Sequence, residues 1–232
     1  MGSLIDFTSN GGTASGYLAI PEGRRGPGVI VVQEWWGLDS GIKEMADRLA
    51  AAGFVALAPD LYHGELAGHT EMDKAGELMQ ALPADRAARD MSAAVDYLAA
   101  HDAASTDGIG VVGFCMGGML SFLLAAQRPD RIAALVPFYG FPQGDDQPNY
   151  RDIDAAIQGH MAEHDDFFPP EAARALEAEL QAMGKDATLT VHPGSGHAFM
   201  APHNALGTQD QELYDRIWPQ VVEFLHTHLE AS

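Results

Sequence analysis

Short runs of branched apolar residues alternate with longer segments of helical spacing along most of the chain. This is the pattern of a mostly parallel sheet with helices packed on its faces. Residues 4–8 and 14–20 read as strands on either side of Asn10-Gly11-Gly12, an antiparallel hairpin at one edge. Residues 28–33 are apolar without alternation, as in a central strand buried on both faces. A helix is predicted over 40–52, with Ser40 as N-cap and Gly53 closing it. Strands are predicted over 54–59, 109–114, 132–139, 155–162 and 187–192. Helices are predicted over 71–82 and 85–100, separated at Pro83, and over 115–127, 170–183 and 209–228. Pro219 is expected to kink or shorten the last helix. Residues 140–154, polar and rich in Gly, Pro and Asp, read as a loop or lid.

There is no repeat, low-complexity stretch or long linker, so the 232 residues are expected to form one domain, residues 1–232. No apolar run approaches the roughly 18 residues of a membrane span. Residues 1–6 have neither the basic nor the apolar part of a signal peptide, so a cytoplasmic location is the expectation. The net charge of −20 repels phosphates and anionic lipid heads, which argues against nucleic-acid and membrane partners. It serves solubility, or adaptation to high salt, and the scarcity of lysine (Lys43, Lys74 and Lys185 alone) fits the latter. The oligomeric state is left open, with a monomer favoured. A single cysteine excludes an internal disulfide and leaves a free thiol.

That cysteine lies in Gly113-Phe114-Cys115-Met116-Gly117-Gly118, between an apolar strand and an apolar helical stretch. The arrangement is the G-x-nucleophile-x-G elbow of the α/β-hydrolase fold, with Cys in place of Ser. The strained turn pushes the nucleophile out at the top of the sheet. Gly113 and Gly117 are required because a Cβ at either would strike the neighbouring strand or helix. The competing readings are an inert core cysteine or a phosphate loop, but neither a G-x-G-x-x-G pattern nor a Walker lysine is present.

A thiol nucleophile needs a base, and the base an orienting acid, in the chain order nucleophile, acid, histidine. His197, in Gly196-His197-Ala198-Phe199, follows the last strand. His203 is its rival, and the remaining histidines of the ten, such as His226 and His228, read as surface residues. The acid lies in Glu163-His164-Asp165-Asp166, and chemistry alone leaves the choice open. The oxyanion would take the backbone N–H of Met116 and, from the loop after Gln33, that of Trp35. No metal or organic cofactor is expected, since no Cys or His spacing supports Asp165-Asp166 as ligands.

Over nearly its whole length the chain resembles the dienelactone hydrolase (carboxymethylenebutenolidase-like) family. The motifs are Gln33-Glu34-Trp35-Trp36-Gly37, Pro59-Asp60-Leu61-Tyr62, Gly113-Phe114-Cys115-Met116-Gly117-Gly118, Asp165-Asp166-Phe167-Phe168-Pro169 and Gly196-His197-Ala198-Phe199. The resemblance implies a Cys115–Asp165–His197 triad. It also implies that Glu34 lies beside the thiol and changes partner when substrate binds; like-charge repulsion disfavours a thiolate until it does.

Two family features are missing. The arginine expected four residues after the histidine is Ala201, and residues 65–82 hold no arginine, although Lys74 could substitute. An apolar pocket that draws on Trp35, Trp36, Tyr139 and Phe199 is therefore expected in place of a carboxylate clamp, with Phe114 and Phe138 better read as core. The sequence thus points to a hydrolase of a lactone or small carboxylic ester. It would act through a cysteine acyl-enzyme and without a cofactor. The alternatives are a non-catalytic ligand-binding or sensing protein of the same fold, and a thiol redox sensor, which lacks a resolving cysteine.

Overall fold

The computed structural model describes residues 1–9 and 11–230, so Asn10 of the predicted turn lies outside the described residues. The first two strands, β1 (Ser3–Ser9) and β2 (Gly12–Ala19), pair antiparallel in one register throughout, as the hairpin pattern predicts. They are followed by β3 (Gly26–Val32), α1 (Ser40–Ala51), β4 (Val55–Pro59), α2 (Met72–Ala81), α3 (Ala84–Ala99) and β5 (Ala104–Phe114). Then come α4 (Met116–Gln127), β6 (Ile132–Phe138), β7 (Ala156–His164), α5 (Pro170–Ala182), β8 (Ala187–Gly196) and α6 (Gln211–Glu230). The eight strands form one sheet in the order β1-β2-β4-β3-β5-β6-β7-β8. Only the β1–β2 and β2–β4 pairs are antiparallel.

The central strands are apolar on both sides because each side meets a separate core. In β3, Val29 and Val31 face the cluster built with α1 and α6, while Ile30 and Val32 face the one built with α3, α4 and α5. All four are fully buried, and each such side chain stabilises the fold by about 1.5–3 kcal/mol. Helix α4 is apolar almost all round, and accordingly Leu120, Phe122, Leu124 and Ala125 are all buried. The other helices bury one stripe each.

The departures from the sequence pattern have local causes. Asp39, not Ser40, caps α1: its Oδ1 accepts the Ile42 N–H at 2.9 Å. Strand β5 begins earlier than predicted, and β8 runs on through Pro193 to Gly196, which pairs with His164 of β7. Proline is tolerated there because β8 is the sheet edge. Pro219 does not end α6, which spans 20 residues in all; the Gln220 side chain donates to the Arg216 carbonyl at 2.9 Å beside it. Residues 140–154 are not a free lid. They hold two single 3-10 turns, and Phe141, Tyr150 and Ile153 are buried in them. Among the described residues no helix is long and apolar enough to cross a membrane.

Candidate active site

Cys115 sits where β5 gives way to α4, with φ 53° and ψ −117°. A non-glycine residue in this region carries strain of about 1–3 kcal/mol, which the surroundings must impose. They do so through hydrogen bonds. The Cys115 N–H donates to the Phe138 carbonyl at 3.0 Å, and its carbonyl accepts from Gly118 N at 2.9 Å and Met119 N at 3.3 Å. The glycines explain themselves in the same geometry. A Cβ on Gly113 would overlap the Gly117 carbonyl, and one on Gly117 would overlap the Val32 and Gln33 carbonyls. Gly140 has the same role and carries no motif signal: a Cβ there would collide with the Cys115 carbonyl.

Asp165 follows β7, and His197 follows β8. The Asp165 side chain is fully buried and saturated: Oδ2 lies 2.7 Å from His197 Nδ1, while Oδ1 accepts from Phe167 N at 2.9 Å and Phe168 N at 3.0 Å. This separates the acids that the sequence leaves level, since Glu163 and Asp166 are exposed. His164, also exposed, lies against Glu163 rather than in the site. The Thr208 hydroxyl donates to the His197 carbonyl and fixes the loop, and the next residue, Ala198, turns at φ 64°. Burial disfavours the His197 imidazolium. Hydrogen bonding to Asp165 and to Cys115 outweighs it and carries the ring up to about 10. The ring is thereby held in its protonated form between Asp165 and Cys115.

Glu34, buried at the end of β3, has other partners. Its Oε2 lies 2.8 Å from His203 Nε2, and its Oε1 accepts from the Tyr139 hydroxyl at 3.4 Å. His203, the rival base, is thus engaged by Glu34, whereas His197 faces the thiol. Tyr139 connects the two arrangements. Its hydroxyl is held protonated by complete burial and by the nearby charges of Glu34 and Cys115, and its ring meets that of His197 at 5.1 Å. Tyr62, likewise raised by burial and by Cys115, approaches Met116 Sδ at 3.6 Å.

Cys115 and His197 open into a cleft of about 470 Å³. Of the predicted pocket residues only Trp35 lines it; Trp36, Tyr139 and Phe199 are buried behind it, and Phe114 and Phe138 stack on each other in the core at 5.1 Å. The walls are instead Met79, Met116, Met119, Phe141, Phe167, Phe168 and Leu206, with Gln80 and Gln143 as polar members. Phe141 and Gln143 come from the segment read as a lid, and Gln143 Nε2 donates to the Phe167 carbonyl at 2.9 Å. No sequence motif marks Met79, Met119 or Leu206. Lys74 is exposed and does not line the cleft, and among the described residues no Lys or Arg does.

The sequence profile of the Dienelactone hydrolase family matches residues 14–229. The chain belongs to that family. It is thereby a hydrolase of esters or lactones. It is 37% identical to "Protein usf" of Aquifex pyrophilus, over 99% of this chain and 100% of that one. A protein of Aquifex aeolicus (strain VF5), provisionally named carboxymethylenebutenolidase, is 35% identical over 99% of this chain and 100% of its own length. Among solved structures, one from Klebsiella pneumoniae subsp. pneumoniae MGH 78578, provisionally described as a dienelactone hydrolase, superposes with a TM-score of 0.82 at 25% identity, covering 97% of each chain.

Proposed function

We propose that this dienelactone hydrolase-like chain cleaves uncharged lactones or small esters with apolar substituents through a cysteine acyl-enzyme. The observation that carries the reading is the meeting of Cys115 and the His197–Asp165 pair at an apolar cleft that, among the described residues, no Lys or Arg lines. Cys115 Sγ bonds to the carbonyl carbon with the thiol proton already held on His197 and Asp165 steadying the imidazolium. The N–H groups of Met116, at the start of α4, and of Trp35 stabilise the oxyanion. As the tetrahedral intermediate collapses, the C–O bond breaks and His197 returns its proton to the leaving alkoxide. Water then attacks the thioester, His197 accepts its proton, and the thiol is released. In a lactone the leaving oxygen stays tethered, so rapid protonation by His197 prevents reclosure. Glu34 restrains the resting site through Tyr139, between the carboxylate and the thiol.

Substrate charge follows from the walls. An anion entering this cleft would meet thioethers and aromatic rings, on a protein of net charge −20. A panel of neutral lactones, p-nitrophenyl acyl esters and one carboxylate-bearing lactone, run with wild type and Cys115→Ala, tests both claims. Turnover of the neutral substrates by wild type alone is expected. Equal turnover by the two proteins would move catalysis away from the thiol, and no turnover by either would favour a non-catalytic binding protein. Preference for the anionic lactone would overturn the substrate class alone.

A further inference from the structure

Beside the candidate catalytic site, but outside it, three crossover loops bring together a second set of polar side chains. Asp39 lies between β3 and α1, His69 between β4 and α2, and His203 between β8 and α6. Their ligand-capable atoms all lie within 4.8 Å of one another. His69 Nε2 is 2.7 Å from Asp39 Oδ2, and His203 Nε2 is 2.8 Å from Glu34 Oε2. The two imidazoles lie face to face, with centroids 4.0 Å apart and an interplanar angle of 32°. Trp36 packs edge-on against both rings, at 5.3 and 6.0 Å. His203 and Asp39 are largely buried, whereas His69 is one-third exposed, so the cluster opens to solvent on one side.

We propose that Asp39, His69 and His203 form a binding site for a divalent transition-metal ion of the zinc type, with Glu34 within reach as a fourth ligand. Two arguments support it. A tetrahedral ion with bonds of about 2.0–2.1 Å needs ligand atoms roughly 3.4 Å apart, so rotamer adjustments of about an ångström suffice. Two imidazoles with carboxylate suit zinc, cobalt or nickel and discriminate against calcium and magnesium, which prefer all-oxygen sites. The Ala205 N–H contact to His203 Nδ1 is long, at 3.4 Å, and leaves that ring free to be reoriented by its Nε2 partner. The three residues come from separate segments, so ligand spacing within any one stretch of the sequence is silent about them.

The test uses Cys115→Ser protein, which removes the thiol as a rival ligand. It is stripped with chelator and titrated with Zn²⁺ by calorimetry in excess Mg²⁺, which suppresses uptake on the acidic surface. Co²⁺ visible spectra then report the ligand set. One equivalent of Zn²⁺ is expected, with affinity reduced at least tenfold by Asp39→Asn and by His69→Asn. Asn caps a helix as well as Asp, so Asp39→Asn spares α1, and His69→Asn alters a partly exposed loop position. A urea midpoint close to that of the parent identifies each variant as folded. No stoichiometric uptake in Cys115→Ser protein, loss of uptake in Mg²⁺, or uptake indifferent to both substitutions would each overturn the site.

Discussion

Asp165→Asn isolates one atom of the proposed machinery. Asp165 accepts three hydrogen bonds within a fully buried setting, two from backbone N–H groups and one from His197 Nδ1. An Asn carbonyl keeps the bonds to Phe167 and Phe168. Its NH₂ is then turned toward His197 Nδ1, where a donor meets a donor unless the ring changes tautomer. The ring responds by carrying its proton on Nε2, the nitrogen that must take the thiol proton. Two of three bonds survive, so the stability cost is about 1–3 kcal/mol. Activity falls further: loss of a general base costs on the order of 10²–10⁴ in rate. We expect the lower half of that range, because a thiol is a better nucleophile than a hydroxyl without help.

The assay is kcat/KM for a neutral p-nitrophenyl ester at pH 7, beside a urea melt of each protein. Asp166→Asn is the control, since Asp166 is exposed one residue away. A folded Asp165→Asn enzyme within tenfold of wild type would refute the assignment. So would an equal loss in Asp166→Asn. A pH series adds an independent readout. His197 binds its proton more tightly folded, at about 10, than at its ordinary 6.5. Its pairing thus stabilises the fold fully below 6.5, and this contribution is lost as pH rises through about 10. Asp165→Asn removes the partner, so its melting temperature declines less than that of wild type over that interval.

Cys115→Ser leaves a hydroxyl beside a ring suited to a thiol, and ester turnover is expected to drop by on the order of 10²-fold or more without a change in urea midpoint. Gly117→Ala drives a methyl into the Val32 and Gln33 carbonyls, both backbone atoms that cannot swing away. The expected loss is about 1–3 kcal/mol in urea denaturation, together with lost activity. Burial holds His160 down to about 3 and His192 down to about 4, so both are neutral in the folded protein near their ordinary 6.5. Their contribution is present above 6.5 and lost as pH falls toward 4, and replacing both with Gln should flatten the acid limb of melting temperature against pH.

The parts of the fold legible in the sequence are those where one residue type has one structural use. Unalternating valines and isoleucines in residues 29–32 require two apolar faces, and the sheet supplies a core on each. Gly113 and Gly117 are readable because only a missing Cβ lets strand, turn and helix pass so closely. The choice of Asp165 over Asp166 was legible only through resemblance. Alternation cannot say which of two adjacent acids turns inward; that is fixed by the Phe167 and Phe168 N–H groups that fold back onto one of them. The pocket was the least legible part. The aromatic residues near the motifs, Trp36, Tyr139 and Phe199, pack as core, whereas the lining residues Met79, Met119 and Leu206 carry no motif at all. Nor could the Asp39–His69–His203 cluster be seen, because its proximity is a product of the topology.

Strain and support are concentrated in the same few residues, which bears on how the site tolerates change. Cys115 at φ 53° and Tyr139 at φ 36° follow adjacent parallel strands, and the Cys115 N–H is tied to the last residue of the neighbouring strand. Neither conformation is favourable for a side-chain-bearing residue, so each must be enforced by rigid neighbours. The glycines permit the close packing that does so: a Cβ on Gly140, directly after Tyr139, would strike the Cys115 carbonyl, and one on Gly118 would strike the Gly140 backbone. A small side chain at Gly118 or Gly140 would therefore disturb Cys115 from outside the cleft. The α2 side of the cleft has no such coupling. Met79 and Phe167 are exposed at its mouth, and α2, which carries Met79, buries only Ala75. Substrate range can thus change through α2 while the elbow stays fixed, a division that lets one arrangement accommodate substrates of different shape.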